Sequence, residues 1–178
     1  MKSVCTKSYV FTDCHLEVLK AVNFNVVLNV LNITPKKDLL ISYAKNGPPP
    51  EYQPYPWTHF SPSGCKVQID KLDWTETDHK LFDEVDWILG ADIVYERSLI
   101  DPLCRVLSNL LNLNVNATAL IACTERSNTT LDTFEKALLK HSMKFLVVGR
   151  GSFTPSENLL CSDVSHQHTR IYKVNIQK

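Results

Sequence analysis

The chain has 178 residues, 44% of them apolar, and its nineteen basic residues balance nineteen acidic ones. That length supports one domain with a substantial core, and the apolar fraction excludes a disordered chain. A net charge of zero gives no electrostatic case for a nucleic-acid partner or an anionic membrane surface, and no apolar run approaches the roughly 20 residues that span a bilayer.

The first residues, MKSVCTKSYVFTDCH, lack an apolar secretory core and carry an early acid. They predict no signal peptide and a cytoplasmic location. Ser8–Thr12 (SYVFT) is a short run of β-branched and aromatic residues and reads as a strand ending at Asp13. From Leu16 to Leu31 the spacing turns helical, with Val18, Leu19, Val22, Val26 and Val30 on one face and Thr12 or Asp13 as a cap. Residues 35–64 hold seven of the nine prolines, including GPPPEYQPYPW, and read as an insertion loop rather than core structure.

Lys66–Leu72 (KVQIDKL) alternates like a strand and runs into Asp73-Trp74. Val85–Leu89 with Ala91–Val94 reads as a buried strand. Asp101–Leu113 has Leu103, Val106, Leu107, Leu110 and Leu111 at helical spacing, with Pro102 in the first turn. Ala117–Cys123 (ATALIAC) is a continuous apolar run of the kind a parallel sheet buries on both faces. Ser127 or Asn128 would cap a helix carrying Leu131, Phe134, Leu138 and Leu139. Lys144–Val148 and Thr169–Ile176 complete the strands.

This alternation predicts an α/β fold with an open parallel sheet, in which ligands bind beyond the carboxyl ends of the strands. The polar residues at those ends are Asp13, Asp73-Trp74, Asp92 with Tyr95, and Thr124-Glu125-Arg126. The six cysteines are scattered without CxxC spacing and read as reduced, buried thiols. Sequons at Asn32, Asn116 and Asn128 are chance matches if no secretory route exists.

Three motifs in order, FTDCH ending at the Asp13 strand, LDW at Asp73-Trp74, and ADIVY with Asp92 and Tyr95, resemble the seven-strand class I methyltransferases. Within them the chain resembles family 16, the protein-lysine methyltransferases, and in that family those acting on translation elongation factor 2. The resemblance runs from about Ser8 to the C-terminus, the Pro-rich insert excepted. It implies a Rossmann-like sheet and S-adenosyl-L-methionine as cofactor. Asp13 would accept hydrogen bonds from the ribose hydroxyls, since a carboxylate offers two oxygens to a vicinal diol. Asp73 would take the adenine amino group, Trp74 would wall the ring, and Ala91 would also border the cofactor. Asp92 and Tyr95 would be the catalytic pair, lining the channel where methyl donor and substrate lysine meet.

A free lysine has a pKa near 10.4 and must lose a proton before it attacks a sulfonium methyl. An apolar channel favours the neutral amine by desolvation. A carboxylate there favours the ammonium instead, so the role expected of Asp92 is orientation. Each residue also has a plainer reading. Asp13 would be an ordinary helix cap, Trp74 a core aromatic, and Asp92 with Tyr95 a strand-end turn.

The five glycines are residues 47, 64, 90, 149 and 151, and none precedes Asp13. Class I methyltransferases begin with a strand, a glycine-rich loop and a helix, which need roughly 25 residues or more. The resemblance is therefore to the C-terminal part of such an enzyme. The first strand, its glycine loop and the first helix are expected to be absent, with cofactor binding weakened or lost. A rival reading is a catalytically inactive fragment serving as a binding or assembly module. A nucleotide-binding oxidoreductase fragment gives the Asp-Trp and Asp-x-x-Tyr strand ends no role.

Other constellations are weaker. His166, His168 and Cys161 fit no standard zinc spacing, and no metal site is expected. Cys123 and His141 lack an oxyanion signature for thiol catalysis. PPPEYQPYP resembles a polyproline ligand but reads first as loop.

Overall fold

Two βαβ crossovers organise the chain. In this computed structural model the described residues are 6–30, 56–76, 84–152 and 168–177. The chain divides into two compact units, Met1–Asp73 and Trp74–Lys178, each with its own sheet.

In the first unit, Ser8–Asp13 (β1) is followed by the helix Leu16–Val30 (α1), Trp57–Phe60 (β2) and Lys66–Lys71 (β3). The sheet order is β1-β3-β2, with β1 parallel to β3 and β2 antiparallel to it. Parallel neighbours need a crossover, and α1 lies within this one. Leu19 and Val26 of α1 pack with Trp57, Val67 and Ile69 of the sheet. The buried face of α1 differs from the expected one: Val18 is exposed, and Asn23 is 1% exposed. Asn23 is tolerated there because its Oδ1 lies 2.6 Å from His59 Nε2 on β2. Burial holds the His59 imidazole below its ordinary pKa, favouring the neutral ring.

The second unit comprises Trp87–Ala91 (β4), Arg97–Leu113 (α2), Thr118–Thr124 (β5), Asn128–Lys140 (α3), Met143–Ser152 (β6) and His168–Ile176 (β7). The order is β4-β5-β7-β6. β4 and β5 are parallel across the α2 crossover, while β7 runs antiparallel to both neighbours. Alternate residues Ala119, Ile121 and Cys123 of β5 are fully buried. They join Leu103, Leu107 and Leu111 of α2 and Phe134 and Leu138 of α3 in one core. Phe134 meets Tyr172 edge-on, with ring centroids 5.4 Å apart. Burying each such large apolar side chain contributes about 1.5–3 kcal/mol.

The structure is α/β with Rossmann-like crossovers, and it departs from the sequence reading in several places. The sheets are mixed rather than wholly parallel. The Pro-rich span is not all loop: Trp57–Phe60 is a strand, and Trp57 is buried against β3. Much of that span, with the PPPEYQPYP run, lies outside the described residues, as do Cys161 and His166. The strand read as buried is exposed: Trp87 is 60% and Leu89 64% accessible, because β4 has β5 as its one neighbour among the described residues. α2 begins at Arg97, not Asp101, with Glu96 as N-cap, so Pro102 lies inside the helix. β7 begins at His168, one residue ahead of the expected Thr169. Among the described residues the cysteines are free thiols, but only Cys104 and Cys123 are buried as expected: Cys14 is exposed and Cys65 half-buried. No helix of the described residues is long and apolar enough to cross a membrane.

Candidate functional site

In the first unit, β1 and β3 end side by side. Asp13 pairs in register with Lys71, and the Leu72 amide donates to the Asp13 carbonyl at 3.1 Å. Parallel register places Asp13 and Asp73 at the same end of neighbouring strands. Both carboxylates act on the intervening Cys14 thiol, whose pKa is raised first by burial and then by Asp13 and Asp73.

Asp13 also caps the chain's entry into α1: its Oδ1 accepts from the His15 amide at 2.8 Å. The cap reading and the binding reading are compatible, because Oδ2 of Asp13 takes no hydrogen bond among the described residues. A carboxylate with one oxygen engaged and one to offer suits a ribose hydroxyl.

In the second unit, Trp74 is half-buried and packs against the core. It is therefore partly the core aromatic of the plainer reading. Its backbone is tied down by Arg105 of α2, whose Nη2 donates to the Trp74 carbonyl at 3.1 Å and to the Glu76 carbonyl at 3.4 Å. Among the described residues the buried Arg105 Nε has no hydrogen-bond partner. Sequence reasoning did not single out Arg105, because in sequence it reads only as a polar position on an amphipathic helix.

β4 ends at the exposed Ala91, and the next residue turns sharply. Asp92 has φ +55°, in the left-handed region that short polar side chains tolerate better than most. Its amide donates to the Ala122 carbonyl of β5 at 2.7 Å. Gly90 permits the turn: a Cβ there would stand 2.4 Å from Ile93 Cδ1 and 2.9 Å from Ile121 Cδ1. Val94 is then buried, and Tyr95 emerges 59% exposed.

The loop after β5 reaches the same place. Arg126 grips Asp92 with a two-pronged salt bridge, Nη2 to Oδ2 at 2.6 Å and Nη1 to Oδ1 at 3.2 Å. Partial burial pushes the Asp92 carboxyl up, but the bonds from Arg126 and Thr124 outweigh it and hold the pKa below the ordinary value. Tyr95, Val94, Thr124, Arg126 and Leu131 line a cavity of about 50 Å³. That is room for a few water-sized groups. Glu125 points elsewhere, into a network with Arg170 (2.8 Å), while Arg170 also reaches Glu135 (3.2 Å) and the Tyr172 hydroxyl (3.1 Å).

The predicted residues therefore fall into two local groups. Asp13 and Asp73 meet at the end of the first sheet, while Ala91, Asp92 and Tyr95 form one turn of the second, with Trp74 on that unit's core. Arg126 was read only as a strand-end residue, and its bond to Asp92 spans a sequence distance that no local pattern reveals. Among the described residues no cluster of His, Cys, Asp and Glu has the arrangement to hold a metal ion.

Comparison with known proteins bears on these motifs directly. A family described as lysine methyltransferase matches residues 61–141, which include Asp73, Trp74, Ala91, Asp92, Tyr95 and Arg126. The mouse protein-lysine N-methyltransferase EEF2KMT is 27% identical over 111 residues, covering 61% of this chain and 27% of that protein. The cattle protein of the same name is 31% identical over 111 residues, covering 61% of this chain and 29% of that one. The Chaetomium thermophilum protein-lysine N-methyltransferase EFM3 is 38% identical over 76 residues, covering 39% of this chain and 23% of that one. The chain thus spans between a fifth and a third of the length of these curated relatives. In sequence the chain is similar to the lysine methyltransferases, matching that family over residues 61–141.

Proposed function

We propose that this chain carries part of the machinery of an S-adenosyl-L-methionine-dependent protein-lysine N-methyltransferase, with translation elongation factor 2 as its substrate and the cytoplasm as its place of action. The observation that carries the reading is the β4 turn. Asp92, in the left-handed region, and Tyr95 flank an end of the sheet, and Tyr95 walls a small cavity. The substrate assignment follows the FTDCH, LDW and ADIVY resemblance, and the relatives named as protein-lysine N-methyltransferases support the reaction class.

Each unit, taken by itself, offers groups of the kind that the cofactor's nucleoside end would take. Asp13 has a carboxylate oxygen to offer to a ribose hydroxyl, and Asp73 lies two residues past the end of the neighbouring strand. Trp74 presents a half-buried ring on a backbone clamped by Arg105. Ala91 adds a small side chain at the strand end, where a larger one would crowd an approaching ligand. The cofactor supplies an electrophilic methyl group on a sulfonium. The chain's residues supply orientation: Tyr95 packs along the methylene stem of a lysine, and Asp92 sets the direction of the amine.

A second reading, a non-catalytic binding or assembly module, is favoured by one observation. The Asp92 carboxylate is already occupied by Arg126 on both oxygens.

Calorimetric titration of the 178-residue chain with S-adenosyl-L-methionine, with circular dichroism on the same sample, separates the two. Saturable binding to a folded chain, at the weakened affinity that the resemblance implies, is the expected result, and assays on elongation factor 2 then follow. A folded chain that shows no heat of binding would overturn the methyltransferase reading for this chain in favour of the module.

A further inference from the structure

The Asp92–Arg126 pair poses a problem if Asp92 is to orient a substrate amine. A bare carboxylate in that turn would hold a lysine as its ammonium, which has no lone pair to attack with. The geometry removes the difficulty. Both carboxylate oxygens face the Arg126 guanidinium, at 2.6 and 3.2 Å. Glu125, the adjacent acid, is committed to Arg170 and leaves the Arg126 charge to Asp92. Arg126 is also a lining residue of the cavity beside Tyr95, so a cation entering there approaches a positively charged side chain.

We infer that Arg126 is a positioning and specificity-determining residue: it neutralises Asp92 and fixes its direction, so that the cavity beside Tyr95 admits a lysine side chain as the uncharged amine and turns the ammonium away. The inference rests on the lysine methyltransferase reading and deepens it. It also accounts for the occupied carboxylate that spoke for an inert module, since the occupant now has a part in the reaction. The turn is built for it. A residue at φ +55° keeps its conformation only when its surroundings hold it, and here the amide bond to Ala122 and the Arg126 bridge do so from two sides.

The test uses small charged probes and no cofactor. n-Butylammonium stands for the lysine side chain, and n-butanol is the uncharged control. Each is titrated into the full chain while the Tyr95 and Asp92 amide resonances are followed. Wild type is expected to exclude the cation, binding n-butylammonium more weakly than n-butanol. Arg126→Gln is expected to bind n-butylammonium at least about tenfold more tightly than wild type, because the carboxylate is uncovered. The gain should vanish in Arg126→Gln/Asp92→Asn, and Arg126→Lys should restore exclusion, which a purely structural role would not predict. Arg126 is 54% exposed, so the Gln variant is expected to fold. If it does not, Asp92→Asn tests the same neutralisation from the other side: the freed guanidinium should take up n-butyrate, which wild type ignores. An Arg126→Gln chain that folds and gains nothing for n-butylammonium, or a gain that survives loss of the Asp92 charge, overturns the inference. In a chain where Arg126→Gln does not fold, Asp92→Asn that leaves n-butyrate unbound does the same. The methyltransferase reading fails separately, by the absence of heat with S-adenosyl-L-methionine.

Discussion

Asp92 carries more constraints than any other residue of the candidate site. Its φ is +55°, its amide completes a bond to β5, and its carboxylate is gripped by Arg126. Asn tolerates the left-handed region nearly as well as Asp, so Asp92→Asn removes the charge with little backbone penalty. If the proposed function holds, this variant lowers methyl transfer to a lysine substrate by about a hundredfold while leaving cofactor affinity within a few-fold. Parallel kinetic and calorimetric measurements check it, and equal loss of both would move Asp92 to the cofactor's side. The residue types at this site were legible in sequence because an acid and a phenol at the end of an apolar strand have little use in a core. Their environment was not. Arg126 lies 34 residues away, and only the parallel pairing of β4 with β5 brings the two loops together.

Among the elements, α2 illustrates how a local signal misleads. Pro102 marks a helix start when read along the chain, since the first turn tolerates a missing amide. The helix instead begins at Arg97, where the Glu96 carboxylate accepts from the Ser98 amide at 3.3 Å and its hydroxyl at 3.2 Å. Burial of Ile100 ahead of the proline helps to hold that first turn in place. Pro102→Ala is expected to stabilise the protein by about 1–3 kcal/mol, by restoring a helical amide, as read from the urea midpoint. The far side of the same helix makes a pH-sensitive contact. Asp101 accepts from Lys140 at 2.7 Å and lies 3.0 Å from His141 Nε2, at the end of α3. The hydrogen bond from Lys140, and then that from His141, hold its carboxyl below the ordinary 3.8. A depressed folded value means that the contact stabilises fully above 3.8 and is lost as pH falls through the lower value. Asp101→Asn should therefore weaken the fold at neutral pH, and the difference from wild type should close in strong acid, as unfolding at several pH values would show.

At the scale of the whole molecule, each unit has its own core, and the two differ in depth. β5 is paired on both sides and packed beneath α2 and α3, whereas β1 has one neighbour among the described residues, and Tyr9, Val10 and Phe11 are all at least 37% exposed. Unequal burial predicts unequal opening. Native-state hydrogen exchange is expected to show the slowest amides in Thr118–Thr124 and β7, with β1 exchanging at least about a hundredfold faster. A single common opening energy for both sheets would contradict this.

The sequence by itself determined the alternation of strands and helices, the strand-ending acids, and the likeness to lysine methyltransferases. Those features are local: periodicity of apolar residues, turn chemistry and short motifs are written in neighbouring positions. Only the tertiary structure decided that Trp57–Phe60 is a strand, that β4 lies at an edge among the described residues, that Arg105 clamps the Trp74 backbone, and that Arg126 covers Asp92. The physical reason is common to all four. A strand in a Pro-rich span forms because β3 supplies its hydrogen bonds, exposure depends on which neighbours a sheet provides, and an arginine finds its acceptor through space, so each is fixed by groups far away along the chain.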